Sequence, residues 1–272
     1  MFTTVLIQPL ANGLILFYRL LGHNLGFAIV AFSLLLRFVL NPLTRPYLRS
    51  MKKMKEVAPQ LEKLKRKHKG DKVKLAQAQA ELYRQRGINP GAGCLPYLVQ
   101  IIILIAFFNV FTRTLSPDGD PTLRFNELLY SPLQFGAEEV INTRFLYLDI
   151  TKPDVFKFSG LPFSVPGPII LLAAVIQFVS AKITAPYEEA QQKAAKKTPE
   201  AQDDIQAAMQ KSMVFTFPIF TVIFGMRFPS GLAIYWLMFS AIQAYQQYKS
   251  SGWGGLTPWL EKVGLIKSDK TK

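Results

Sequence analysis

One arginine stands out from its surroundings. Arg37 sits in the run LGFAIVAFSLLLRFVLNPL with no acidic residue to neutralise it. A charge at the centre of a membrane-spanning helix costs about 2.5–3.5 kcal/mol on insertion scales, so such an arginine faces water or the interior of a helix bundle by default. Ser33 and Asn41 lie four residues to either side, which places Ser33, Arg37 and Asn41 on one helical face as a polar stripe. The other reading is that Arg37, five residues before Pro42, lies near a helix end and snorkels to phosphates. Further apolar runs carry Gln100, Asn109, Gln177, Ser180, Ser240 and Gln243. Taken singly, each is interhelical glue. Together, with no acidic residue in any of these cores, they describe a positively charged, donor-rich cavity suited to acidic or polar peptide.

No enzymatic constellation accompanies these residues. The carboxylates fall between the apolar runs, and no nucleophile elbow, paired-histidine metal motif or phosphate-cradling glycine loop occurs. Two histidines, His23 and His68, with the single Cys94 cannot supply a four-ligand zinc site, and one cysteine makes no intrachain disulfide. The chain is therefore expected to work without catalytic residues, metal or cofactor.

The elements that position these residues are apolar and long. Runs with almost no charge extend over Leu25–Leu43, Leu95–Thr112, Val165–Ala181, Ser212–Met226 and Leu232–Gln247, each close to the length that crosses about 30 Å of hydrocarbon. The formal charge of +14 is concentrated elsewhere. Between Arg45 and Arg86 fourteen Lys and Arg face four Asp and Glu, a net of +10, whereas Arg113 to Val165 holds five basic and seven acidic residues, a net of −2. The positive-inside rule makes the first segment cytoplasmic and the second external. The expected fold is an all-α integral membrane protein with five transmembrane helices around a polar groove. Its divisions are an N-terminal interfacial amphipathic helix (1–23), a first crossing (24–44), a basic cytoplasmic helical hairpin (45–90), a second crossing (91–113), an extracytoplasmic loop (114–164), a third crossing (165–184), a cytoplasmic loop (185–211), a fourth (212–228) and a fifth crossing (229–248), and a cytoplasmic tail (249–272). The N-terminus is then outside and the C-terminus inside. The opening MFTTVLIQPL lacks a basic n-region and is expected to be retained.

Between the crossings the patterns differ. Met51, Met54, Ala58, Leu61 and Leu64 recur at helical spacing, Gly70-Asp71 interrupts, and Leu75, Ala78 and Leu82 resume, as an antiparallel helical pair requires. The turn at Asn89 to Gly93 ends it. The 185–211 segment reads as a second helical pair broken near Thr198-Pro199, and the 114–164 loop has one strand-like or helical patch at Thr143–Leu148. The last two crossings, joined by MRFPSG, have about sixteen residues each, about 24 Å at 1.5 Å per residue. That length is met either by local thinning of the bilayer or by compact packing.

The order of these features resembles the YidC membrane insertases and their mitochondrial oxidase-assembly and chloroplast relatives. QPLANGLILFYRLLGHNLGFAIVAFSLLLRFVLNPLTRPYLRSMKKM is similar to that family's interfacial helix, first core crossing and entry into the hairpin; INPGAGCLPYLVQIIILIAFFNVF to its second crossing; FPIFTVIFGMRFPSGLAIYWLMFSAIQAYQQ to its final hairpin. The short stretch before the first crossing resembles the family's short form, while the loop between the second and third crossings is longer than the family pattern. The resemblance implies that Arg37 is the groove arginine, that Gln177 is a groove polar residue of the third crossing, and that Tyr235-Trp236 is the aromatic pair of the fifth that faces clients. It implies insertion of nascent membrane-protein clients into the lipid bilayer of a bacterial plasma membrane, with the ribosome, the signal recognition particle receptor and the Sec translocon as candidate partners and no specific nucleic acid. An assembly scaffold without insertase activity and a small-anion transporter stay open as alternatives.

Overall fold

The computed structural model describes residues 2–88, 95–115, 119–184 and 214–266. The turn expected at Asn89 to Gly93, the single cysteine, the segment 185–211 and the end of the tail lie outside them. Helices dominate: α1 (Gln8–Leu20), α2 (Leu25–Lys67), α3 (Lys72–Gln85), α4 (Leu95–Thr114), α5 (Pro121–Asn126), α6 (Pro168–Thr184), α7 (Val214–Gly225), α8 (Ser230–Ser251) and α9 (Thr257–Lys262). Two short antiparallel hairpins add β structure to the expected helices. One pairs β1 (Arg144–Phe145) with β2 (Leu148–Asp149), running one residue past the patch read as strand-like or helical, and the other pairs β3 (Val155–Phe156) with β4 (Val165–Pro166). The chain forms two compact units.

The first unit comprises residues 1–39, 100–181 and 213–245. A π-helical turn at Thr3–Ile7, with Val5 exposed, leads into α1, which turns Leu10, Leu14, Ile15 and Tyr18 inward and leaves Leu16 and Leu20 exposed. At the corner after α1, Gly22 and His23 take left-handed backbone, and the Asn24 side-chain oxygen accepts the amides of Gly26 and Phe27. Asn24 thereby starts α2 as a side-chain cap. On α4 the buried residues Ile103, Ala106, Phe107, Val110, Phe111 and Thr114 recur at three and four, while Ile101, Ile102 and Ile105 are exposed. The same division on α7 buries Val214 and Thr221 and exposes Phe215, Phe217, Ile219, Phe220, Ile223 and Phe224. Its narrow inner face seats Gly225 against Ile170 of α6.

The connection between α4 and α6 is built into this unit. Ile150 is fully buried and lies where α2, α4 and α8 meet: a Cβ on Gly231 would come within 2.7 Å of Ile150, 3.3 Å of Ile29 and 3.4 Å of Leu115. Glycine is required there by close approach, and burial of Ile150 contributes about 1.5–3 kcal/mol. Asn12 of α1 donates to the carbonyl of Leu128 and accepts from the amide of Tyr130, and the Tyr18 hydroxyl accepts from the amide of Asn142. Asp154, 2% exposed, caps α6 from outside its own helix, accepting the amides of Ile169 at 3.0 Å and Ile170 at 3.1 Å and the Tyr147 hydroxyl at 3.0 Å. Those two amides are among the four a helix start leaves without partners. Desolvation, together with the Asp154 carboxylate, pushes the Tyr147 phenol up to about 12. Asp149 holds the first hairpin's exit. Desolvation raises its carboxyl, but hydrogen bonds from Thr151 and Thr143 prevail and leave it below the usual range.

The second unit comprises 40–99, 182–212 and 246–272. Within it the remainder of α2 and α3 form a helical hairpin, turned by Gly70 with φ +90° and restarted by Asp71, whose carboxylate accepts the amide of Lys74. Val57 and Ile88 are buried, Lys53 reaches the carbonyls of Arg86 and Gly87 at 3.4 Å, and Arg86 donates to Gln60. One continuous helix, α2, contains both the expected first crossing and the first hairpin arm, although Pro42, Pro46 and Pro59 each remove a ladder bond. Among the tail residues, Trp259 lies under the ammonium of the buried Lys182 at 5.2 Å, and Gly254 sits against the carbonyl of Ile183.

Among the described residues one helical stretch, Leu25–Pro42 with mean hydropathy 1.8, is long and apolar enough to cross a membrane; shorter apolar stretches are Ile101–Thr114, Pro168–Ile183 and Val214–Gly225.

Replacing Asp154 with alanine leaves the Ile170 amide and the Tyr147 phenol without their acceptor, while the Ile169 amide keeps the Tyr147 hydroxyl. The cost is about 1–2 kcal/mol, read as a lower unfolding midpoint in detergent, with Asp154→Asn losing less. Because the phenol of Tyr147 titrates higher in the folded chain than when unfolded, stability is fully present below pH 10 and declines as pH rises toward about 12. Tyr147→Phe is expected to flatten that decline in the same measurement.

Candidate functional site

The inward polar groups of α6, α7 and α8 converge on one amide. The Thr221 hydroxyl, buried on α7, donates to the carbonyl of Phe217 at 3.0 Å one turn back, so its oxygen is free to accept from the amide nitrogen of Gln177 on α6. The amide oxygen of Gln177 then accepts from the indole nitrogen of Trp236 on α8 at 3.2 Å. In this orientation every donor in the set has an acceptor. Three helices are thereby joined by one side chain, in the manner of polar residues between apolar helices. Phe220 stands edge-on to Trp236 with ring centres 6.4 Å apart.

Arg37 occupies a second position in the same unit. It is half-buried, and its guanidinium carbon lies 4.9 Å from the ring centre of Phe239 on α8, within range of a cation–π interaction. Phe239 is three residues beyond Trp236, and Ser240 and Gln243 follow Trp236 at four and seven, so α8 presents Trp236, Ser240 and Gln243 along one face. Ser240 is buried and Gln243 half-buried.

The other residues proposed from sequence are placed differently. Ser33 is buried and donates to the carbonyl of Ile29 at 2.6 Å, so its hydroxyl is satisfied within its own helix. Asn109 does the same toward Ile105. Tyr235 is 3% exposed and stacked on Phe107, with ring centres 4.3 Å apart. In this conformation its ring is packing between α4 and α8. Asn41 follows Arg37 by one turn of α2, in the part of the helix that belongs to the second unit. Gln100 lies on α4, and its side chain is outside the described ones.

Sequence reading passed over Thr221. Its signal is weak: it shares an inner face with Val214, Pro218 and Gly225 at helical spacing, but its partner is 44 residues away. Among the described residues no group of three His, Cys, Asp or Glu could hold a metal ion.

A model of the 60Kd inner membrane protein family matches residues 16–251. The chain belongs to that family. Relatives include a membrane protein insertase YidC of Fusobacterium nucleatum, 32% identical over 83% of this chain and 85% of the relative. Another, of Pelobacter propionicus, is 32% identical over 90% of this chain and 38% of its own length. A third, of Caulobacter vibrioides, is 34% identical over 89% and 35%. The chain therefore spans little more than a third of the longer relatives and most of the shorter one. A crystal structure titled as an active YidC insertase with its first transmembrane domain resolved aligns at 23% identity with a TM-score of 0.49, over 88% of this chain and 46% of that one.

If Gln177 links the three helices, Gln177→Leu strands the Trp236 indole N–H and costs about 1–3 kcal/mol. A double-mutant cycle with Trp236→Phe is expected to give a coupling of at least about 0.5 kcal/mol in detergent unfolding. Strict additivity would contradict the contact.

Proposed function

We propose that this protein is a membrane protein insertase and chaperone that accepts hydrophobic segments of newly made proteins in a positively charged, hydrated groove and releases them laterally into the bilayer. The observation that carries this reading is the apolar outer surface of the first unit together with the few polar groups on its inner faces. Phenylalanine, leucine and isoleucine face outward on α2, α4, α6 and α7, whereas Gln177, Thr221 and Ser240 face inward. Such a surface suits hydrocarbon on the outside and polar peptide within. The printed names of the relatives support the same function.

In this reading five crossings, 24–44, 91–113, 165–184, 212–228 and 229–248, surround the groove, with residues 1–23 as an interfacial helix. The charge distribution supports a cytoplasmic 45–90 hairpin and 249–272 tail and an external 114–164 loop, and alternation of the crossings then puts the 185–211 loop inside. Arg37, Gln177, Trp236 and Gln243 line the client path, with Asn41 of α2 and Gln100 of α4 proposed as further groove residues, while Ser33 and Tyr235 shape it by packing. A client meets the basic hairpin, where a ribosome, the signal recognition particle receptor or the Sec translocon would also engage, and lays a polar segment near Arg37. Arg37 attracts and solvates that segment without bond making, and no catalytic residue, nucleotide or cofactor takes part. Burial of the client's apolar surface in lipid, at about 25 cal/mol per Å², drives release, and the membrane potential assists acidic segments.

The test is reconstitution of the purified chain alone in liposomes with a short single-span client, read by protease protection. Wild type is expected to protect the client, Arg37→Ala to protect it less, most clearly for acidic-tailed clients, and Arg37→Lys to retain protection. No protection by wild type would contradict autonomous insertion and favour an assembly scaffold. Equal protection by Arg37→Ala would remove Arg37 from the path.

A further inference from the structure

We propose that the β3–β4 hairpin seats its tip in the headgroup and upper acyl region of the outer leaflet, so that the loop between α4 and α6 is a lipid-anchored element as well as a packed one; this rests on the membrane orientation proposed above. The tip reads FKFSGLPF over residues 156–163. It exposes Phe156, Phe158, Leu161 and Phe163, with Phe158 at 58% and Phe163 at 64%. The turn of the first hairpin adds Leu146, at 75%, and Tyr147, whose ring stacks on Phe156 with centres 6.1 Å apart. Four large apolar side chains within eight residues form the kind of continuous patch that a soluble loop avoids.

Three observations select lipid as the occupant. The hairpin is fixed at the entrance of α6, because β3 begins one residue after Asp154 and Asp154 holds the first amides of that helix. The apolar surface then continues in the chain, through exposed Leu171, Leu172 and Val175 of α6, the helix proposed to enter hydrocarbon there. The patch also lacks the polar detail of a protein-recognition surface: between Val155 and Gly167 the one charged residue is Lys157, flanked by Phe156 and Phe158. A lysine among aromatic groups suits the level of phosphates, where its stem lies along apolar surface and its ammonium reaches the headgroups. Anchoring here would fix the depth at which α6 starts, and with it the depth of Gln177.

The experiment uses the full chain with Cys94→Ser as background, carrying Phe158→Cys or Phe163→Cys labelled with an environment-sensitive dye, in vesicles of phosphatidylethanolamine and phosphatidylglycerol. Lipids bear a quencher either near the glycerol or near the chain ends. Phe217→Cys on α7 serves as the hydrocarbon reference. Labels at 158 and 163 are expected to lose emission, more to the shallow quencher than to the deep one. Labels at 158 and 163 that are unquenched while the label at 217 is quenched would overturn the anchoring and leave the membrane orientation standing. Labels shielded from water yet untouched by either lipid quencher would overturn it in favour of a protein partner. Loss of quenching at all three positions would overturn both readings.

Discussion

A helix that shows hydrocarbon-like side chains to its surroundings can satisfy a polar side chain only against another helix. That constraint organises the first unit. Gln177 meets it by giving its amide nitrogen to Thr221 and its amide oxygen to Trp236, so α6, α7 and α8 are bound through the one kind of contact their apolar faces cannot supply. The surrounding packing follows. Gly225 lets α7 approach Ile170, and Gly231 lets α8 approach Ile150, Ile29 and Leu115. Where a polar group has no cross-helix partner it bonds within its own helix, as Ser33 does to Ile29 and Asn109 to Ile105.

The same accounting gives the α4–α6 connection its place. Each end of an apolar helix leaves backbone groups to be satisfied, and this segment supplies several of them. Asp154 takes the first amides of α6, the carbonyl of Asn142 accepts the amide of Leu25 at the start of α2, and the carbonyl of Lys152 accepts the amide of Ser230 at the start of α8. Three helix starts are thus capped by one loop, whose own core is Phe125, Ile141 and Ile150. A segment rich in proline, glycine and acid residues performs a structural task that none of those residue types announces.

Arg37 stands out in the sequence because a lone charge in a nineteen-residue apolar run has few physical excuses, and the Gly70-Asp71 break was legible because glycine and a capping aspartate interrupt a helical period. Asp154 and Thr221 were illegible for one reason: the partner of each lies in another element, and periodicity carries no information about which face of a distant helix arrives opposite. For Ser33, spacing from Arg37 puts both on one helical face, but spacing does not show that its hydroxyl bonds its own carbonyl one turn back. Tyr235 and Trp236, paired by family resemblance, separate in the fold because neighbours on a helix diverge by about 100°: one stacks on Phe107, the other reaches Gln177.

The central claim is that polar peptide travels along the inner faces bearing Arg37 and Gln243 while lipid covers the outer faces. Site-specific photocrosslinking to a ribosome-stalled membrane-protein chain addresses it directly, with the photoreactive residue placed in turn at Arg37, Gln243 and the outward Ile219. Adducts to the stalled chain at 37 and 243 from its polar segment, with the apolar segment reaching 219 only at longer chain lengths, are expected. Adducts at 219 alone, at every length, would contradict an internal path and assign contact to the outer surface.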